Sequence, residues 1–220
     1  ARGVWGDTGT RWTPIATGLF DVHLFGARGD GATNDRTAVQ DACVAANAAG
    51  GGTVVFREGR TYNVGSTLTL DDMQRVTLEG RGARIVYTPT GTGQLLTLNS
   101  VLWISFRDLV LAYSSPTYTG DLVTTNWSAA NADPSYVHFQ NCYFRGTPGV
   151  ATGGGALLRL NRAIFTSVRD CQFGYSNYGI WGQVPNYSNV TLIDHCTFFS
   201  INTSPAFNAG EAWTFQNCTG

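Results

Sequence analysis

The sequence predicts an all-β protein, a right-handed single-stranded parallel β-helix with an N-terminal capping α-helix. Three observations lead to this fold class. The 220 residues include 27 glycines and only 13% are charged, which favours turns and strands over a charged helical bundle. A short apolar motif recurs through the second half of the chain. A single segment with helical periodicity precedes these repeats.

The first elements are a lead-in and the cap helix. Residues 1–20 contain Gly, Thr, Pro and aromatic residues without a period, so we expect an irregular lead-in to a β-helical domain over 21–220. The cap helix is predicted over about 35–49, where Thr33, Asn34 and Asp35 offer N-cap side chains and three glycines at 50–52 end the helix. Its apolar face, at helical spacing, consists of Val39, Ala42, Cys43 and Ala46.

The coils are predicted over about 53–220. One inward apolar position recurs 22–33 residues after the previous copy, and uneven spacing indicates loops inserted at the turns of a solenoid. The aligned positions are Leu78, Phe106, Phe139, Val168, Ile193 and Phe215. The last copy starts a coil that nothing in the sequence caps, so we expect an uncapped C-terminal end.

A second strand family precedes most copies of this motif, at 95–99, 122–126 and 157–161. Two other folds fit less well. A β-sandwich would show two-residue Asn-Gly or Asp-Gly hairpin turns, which are scarce here. A leucine-rich repeat would show a steadier period and more leucine.

Four of the five cysteines occupy one position of the repeat, three residues after the inward apolar residue. Zinc sites use cysteines two to four residues apart, and no such pair exists, so no metal site is predicted. Side chains in a ladder point the same way, which disfavours disulfide geometry. We therefore expect no disulfide, and free thiols that pack as small apolar groups. They are Cys43, Cys142, Cys171, Cys196 and Cys218.

Residues between the inward positions of the repeated strand point outward. Arg107, His138 and Arg169 fall on this outer surface in successive coils, and we expect them to bind substrate. Guanidinium groups suit the carboxylates of an acidic glycan. The alternative is a solvated face whose charges pair across coils.

Hydrolysis of a glycosidic bond usually requires two carboxylates at a defined separation. Asp194 is the best single candidate because we expect it to face outward beside His195, and these two residues are the candidate catalytic groups. Asp108 and Asp170 occupy turn positions, where capping of the backbone is the simpler interpretation. The residues imply no cofactor, and the sequence leaves open whether the protein is an enzyme.

The segment over about 20–64 resembles the entry segment of the pectate-lyase-like superfamily. Its matching residues are Phe25-Gly26-Ala27-x-Gly29-Asp30-Gly31, Asn34-Asp35-x-Thr37-Ala38-x-Gln40, Gly50-Gly51-Gly52-Thr53-Val54-Val55-Phe56 and Tyr62-x-Val64. A further run, Ile193-Asp194-His195-Cys196, is similar to a short motif of pectate lyases. The Arg-x-Pro-x-x-Arg stretch of pectate lyases and the Gly-His-Gly motif of polygalacturonases are absent.

This resemblance implies a β-helical module of a phage tail protein, a tailspike or receptor-binding fibre, that recognises a cell-surface polysaccharide. It implies a virion or extracellular location, and partners that are other copies in a homotrimer or other tail proteins. The alternatives are a secreted polysaccharide lyase or glycoside hydrolase acting on an acidic glycan, and a purely structural spacer. The net charge of −1 disfavours nucleic acid as a partner. No apolar run is long enough for membrane insertion.

Overall fold

The computed structural model describes residues 5–7, 12–14, 18–126, 135–147, 155–182, 188–207 and 212–220. Strands β1 (Trp5–Asp7) and β2 (Trp12–Pro14) pair antiparallel within the segment that the sequence predicts to be irregular. Their pairing gives these residues a regular backbone, and the lead-in over 1–20 stays a prediction for the segment as a whole. The first strand of the parallel stack is Leu19–Asp21.

The other elements follow in chain order and include one α-helix and a short 3₁₀ helix, Val22–Phe25. They are β3 (Leu19–Asp21), β4 (Asp30–Asn34), α1 (Arg36–Ala48), β5 (Gly52–Val55), β6 (Thr61–Val64), β7 (Leu68–Asp71), β8 (Val76–Tyr87), β9 (Leu96–Asn99), β10 (Leu102–Tyr113), β11 (Val123–Asn126), β12 (Ser135–Gln140), β13 (Tyr143–Arg145), β14 (Ala156–Leu160), β15 (Ile164–Arg169), β16 (Gln172–Gly182), β17 (Asn189–Asp194), β18 (Thr197–Phe207) and β19 (Trp213–Gln216).

These strands form three parallel stacks, which we call the first, second and third faces. The first face contains β3, β5, the start of β8, the start of β10, β12, β15, β17 and β19. The second contains β4, β6, the ends of β8 and β10, β13, and the starts of β16 and β18. The third contains β7, β9, β11, β14, and the ends of β16 and β18. The predicted parallel β-helix is confirmed.

The core consists of columns of like residues from successive coils. Phe106 pairs in register with Phe139, and their rings stack with centroids 4.8 Å apart. Phe144 and Phe173, on the second face, stack in the same way at 4.6 Å. The inward position predicted from the sequence is therefore confirmed on the first face, where Val168 continues the column.

The predicted helix is present at Arg36–Ala48, followed by Gly50 in the left-handed conformation at φ 84°. Asp35 does not cap it with its side chain; its buried carboxylate instead accepts hydrogen bonds from the backbone N–H groups of Arg28 and Gly29. The side chain of Gln40 bonds both the backbone N–H and the carbonyl of Thr69. The Gln40 contacts fasten the helix to a strand of the third face. That the helix caps the end of the β-helix stays a prediction.

All five cysteines are free thiols. Burial raises the pKa of Cys43 to about 12, so this thiol is protonated and unreactive at neutral pH. In the ladder, Cys142 and Cys196 donate sulfur hydrogen bonds to the backbone oxygens of Phe106 and Val168, each at 3.5 Å. The ladder therefore packs as small side chains, and only Cys218 is partly exposed.

The bend between the first and second faces is built from residues in the left-handed conformation. Their φ angles are 50–55°, and they are Asp108, Asn141, Asp170, His195 and Asn217. Asn and Asp tolerate this conformation better than most residues. Side chains of this column also bond one another, as where the amide of Asn141 donates to the carboxylate of Asp108.

Candidate functional site

The outer surface of the first face carries three columns of side chains that run along the stack of coils. Alternate residues of a strand point to one side, and parallel register aligns them from strand to strand. Ser105, His138 and Ser167 are in register, and so are Arg107, Gln140 and Arg169. With the residue two positions before each serine or histidine, they form a patch of nine residues that we call the outer grid. Its rows are Trp103, Ser105, Arg107; Tyr136, His138, Gln140; and Phe165, Ser167, Arg169.

A pocket of about 240 Å³ lies on this grid. Its lining includes Arg107, His138 and Arg169, so the structure brings together the three residues predicted to bind substrate. Both arginines are exposed, and within the described residues neither guanidinium makes a hydrogen bond or an ion pair. Each arginine is nevertheless in register with a carboxylate of the adjacent coil, Arg107 with Glu79 and Arg169 with Asp194, so the alternative of a face whose charges attract across coils stays open.

His138 lies at the centre of the outer grid and lines the pocket. Its Nδ1 lies 2.7 Å from the hydroxyl oxygen of Ser167. Burial, followed by the charges of Arg169 and Arg107, lowers the pKa of His138 below its ordinary value. The imidazole is therefore neutral at pH 7. In the tautomer that donates from Nδ1 to Ser167, Nε2 keeps a free lone pair.

Asp194 and His195 lie one coil further, where Asp194 is in register with Arg169. Asp194 lies in the outward column with Arg169, but only 8% of the residue is exposed. Its carboxylate accepts a hydrogen bond from the amide of Asn217 at 3.0 Å and lies 2.9 Å from Nδ1 of His195. The Asn217 bond is the main reason that the pKa of Asp194 is lowered. The group stays ionised, which suits anchoring or electrostatic roles better than proton donation. The catalytic role of Asp194 and His195 stays a prediction.

The first column of the grid is an aromatic ladder that sequence reasoning did not single out. The rings of Tyr136 and Phe165 stack at 4.9 Å, and Trp103 lies 5.7 Å from Tyr136. Trp103 and Phe165 are each 43% exposed. The signal was present in the repeat, because each ring stands three residues before the inward apolar position.

A second groove of about 530 Å³ follows the bend between the first and second faces. Asp108 and Asp170, predicted to cap turns, both line it together with Arg81 and Tyr143. Burial and the adjacent Asp108 carboxyl raise the pKa of Glu79, which lies on the first face beside this groove. Within the ranges that the structure describes, no three His, Cys, Asp or Glu side chains are grouped so as to hold a metal ion.

No family model matches the chain. A 92-residue stretch is 33% identical to a capsule KN3-specific depolymerase of Klebsiella phage KN3-1, covering 39% of this chain and 11% of that protein. Another, of 87 residues, is 40% identical to mannuronan C5-epimerase AlgE3 of Azotobacter vinelandii, covering 36% of this chain and 5% of that protein. The chain thus spans a small part of the length of these curated relatives.

Among solved structures, the Dettilon tailspike protein superposes with a TM-score of 0.68 at 12% identity, covering 91% of this chain and 39% of that one. This likeness shows the fold. Together the comparisons confirm the resemblance to parallel β-helix proteins, and the matched proteins include a tailspike protein and a phage depolymerase. In the described part of the chain, no helix has both the length and the apolar character needed to cross a bilayer.

Proposed function

We propose that this parallel β-helix is a polysaccharide-recognition module that binds an acidic glycan on its outer grid. The observation that carries the proposal is the pocket that Arg107, His138 and Arg169 line together, with both arginines exposed and, among the described residues, neither guanidinium held in a hydrogen bond or an ion pair. A guanidinium presents a planar pair of N–H donors that matches a carboxylate. The hydroxyls of Ser105 and Ser167 supply partners for sugar hydroxyls.

The binding test uses polymannuronate as an acidic polymer and dextran as a neutral one. We expect salt-sensitive binding of polymannuronate and none of dextran, because exposed ion pairs weaken as salt rises. Arg107→Ala and Arg169→Ala each weaken binding about three- to tenfold, the range for one charge-assisted contact at an exposed site. Arg60→Ala is the matched control, since Arg60 is exposed but lines neither cavity. Equal binding of both polymers, or equal loss in all three variants, would contradict the proposal.

A second candidate function is lyase chemistry in the same pocket, and the neutral His138 favours it. With an arginine holding the sugar carboxylate, Nε2 of His138 takes the proton from the adjacent carbon. The electron pair forms a double bond to the next carbon as the bond from that carbon to the glycosidic oxygen breaks, and the departing oxygen takes a proton from water. Ultraviolet absorbance of the unsaturated product measures this reaction. His138→Gln should abolish product while polymannuronate still binds; product formation that survives in this variant would exclude His138 as the base.

Glycoside hydrolysis through Asp194 is tested separately. Reducing ends are measured after incubation with acidic capsular polysaccharides, with Asp194→Ala as the variant. Reproducible cleavage that is lost in Asp194→Ala supports the view that the protein is an enzyme and excludes a purely binding role. No cleavage together with retained binding supports recognition alone.

The biological setting that we propose is a phage tail protein, a tailspike or receptor-binding fibre, in the virion or extracellular space. The likeness to a phage depolymerase and to a tailspike supports this setting. Homotrimer formation is part of the same proposal and is tested by light scattering. Failure to bind envelope preparations of bacteria from the source environment would instead favour a structural spacer.

A further inference from the structure

We infer that the glycan bound by the outer grid is linear, lies parallel to the long axis of the β-helix, and carries its acidic sugars at alternate positions. This inference rests on the proposed function and narrows its ligand class. The residues that lead to it form the third column of the first face, one residue from each of five successive coils. In order they are Glu79, Arg107, Gln140, Arg169 and Asp194.

Along this column, residues that attract a carboxylate alternate with residues that do not. Arg107 and Arg169 attract an anion, whereas the uncharged Gln140 between them offers only neutral hydrogen bonds. At the two ends, Glu79 and Asp194 place carboxyl groups beside the arginines. A sugar carboxylate at either end would meet a group of the same kind, which disfavours it. Successive coils therefore select neutral, acidic, neutral, acidic and neutral sugars.

The spacing of the column fits one sugar to each coil. Neighbouring strands lie about 4.8 Å apart, which is close to the length of one pyranoside unit in an extended chain. Arg107 and Arg169 are two strands apart, or about 9–10 Å. A carboxylate on every second sugar reaches both guanidinium groups without bending the glycan.

The other two columns fix the direction of the glycan, because they run along the same axis. Ser105, His138 and Ser167 form a polar row beside the charged column, and the aromatic ladder borders this row on its far side. A glycan along the axis keeps hydroxyls on the polar row and an apolar edge against the ladder. A glycan across the strands would place one sugar on the rings and the next beyond the charges.

The left-handed backbone of the ladder is a feature of this bend in successive coils. Trp103, Tyr136 and Phe165 have φ angles of 56°, 55° and 54°. At the same position of other coils, Arg75, Val190 and Ala212 have φ angles of 56°, 53° and 55°. The bend therefore sets the backbone conformation, and the aromatic side chains are what distinguishes the coils of the grid.

The experiment compares three hexasaccharides of equal length: one with a uronate at every position, one with uronates at alternate positions, and one without charge. Calorimetry at low and moderate salt measures each dissociation constant. We expect the alternating oligomer to bind about fivefold or more tightly than the fully acidic one, and the neutral oligomer to bind weakest. The fully acidic oligomer binds less tightly because one of its carboxylates meets no cation at Gln140 and others meet the carboxyl groups of Glu79 and Asp194 at the ends.

Gln140→Arg provides the sharper test, because it places a guanidinium at the central coil. This variant should bind the fully acidic oligomer about three- to tenfold more tightly than the unmodified protein does. Gln172→Arg adds the same charge on the second face and should leave this affinity unchanged. Circular dichroism confirms that both variants keep the fold.

The outcomes separate the two claims. If the fully acidic oligomer binds the unmodified protein as tightly as the alternating one, the alternate-sugar inference is overturned while acidic-glycan recognition stands. If neither acidic oligomer binds better than the neutral one, both are overturned. A gain in Gln172→Arg equal to that in Gln140→Arg would show that net charge, and not the column, decides affinity.

Discussion

Phe139 is the residue at which the stacked core meets the candidate site, and its removal tests how much one ring of the ladder stabilises the fold. Its ring is 1% exposed, stacks on Phe106 at 4.8 Å and meets Phe144 edge-on at 5.3 Å. Phe139→Ala leaves a cavity between three coils that the neighbouring strands cannot close without breaking register. Buried Phe→Ala changes cost about 3–5 kcal/mol. For a chain of this size that corresponds to a fall in Tm of roughly 6–20 °C.

The matched control is Phe215→Ala, at the same repeat position but 44% exposed. Partial burial of a large apolar side chain stabilises by about 1 kcal/mol, so this change should cost far less. Both variants are unfolded in urea, with far-ultraviolet circular dichroism and tryptophan fluorescence as probes, because stacked repeats do not always unfold in one step. Equal costs for the two variants would refute the idea that the buried stack, and not the repeat position, carries the stability.

Three further predictions use other parts of the molecule. Because the pKa of His138 is lowered in the folded protein, His138 contributes stability that is present above about pH 6.5 and is lost as the pH falls. A ligand carboxylate at the arginines raises this pKa, so acidic-glycan binding should tighten as the pH falls below about 6.5. In a pH titration of binding, His138→Gln should remove that pH dependence. In the native protein, Cys218 should react with a thiol reagent before any of the other four cysteines, which should react only after denaturation; rapid labelling of two or more would contradict the buried ladder. Gly146→Ala should cost about 1–3 kcal/mol in urea, because the added carbon meets the backbone oxygen of Tyr175; an unchanged midpoint would contradict this packing.

The sequence predicts the fold well because the first face repeats its apolar position from coil to coil. Phe106, Phe139 and Val168 are separated by unequal stretches of chain, yet they occupy one column of the structure. Inserted residues leave the column undisturbed when they lie at the turns. The lead-in was less predictable, because strands as short as Trp5–Asp7 have no period to detect.

Side-chain placement at the candidate site was predictable in part. Alternation along the strand correctly placed Arg107, His138 and Arg169 on one outer surface. The burial of Asp194 was not foreseen, since the cover comes from the next coil through the amide of Asn217. A residue's outward direction follows from strand periodicity, whereas its exposure depends on the length and conformation of its neighbours.

The same register explains why the recognition surface and the core can vary separately. Trp103, Arg107 and Phe106 belong to one strand, but the first two project outward from the strand that buries Phe106 in the stack. A change at Arg107 leaves the aromatic stack intact, so its effect appears in binding and hardly in the free energy of unfolding. A change at Phe139 does the opposite: its main effect is on the free energy of unfolding, although its strand also carries His138 and Gln140. If Arg107→Ala lowers the urea midpoint as much as Phe139→Ala does, inner and outer columns are coupled and the surface is not an independent site.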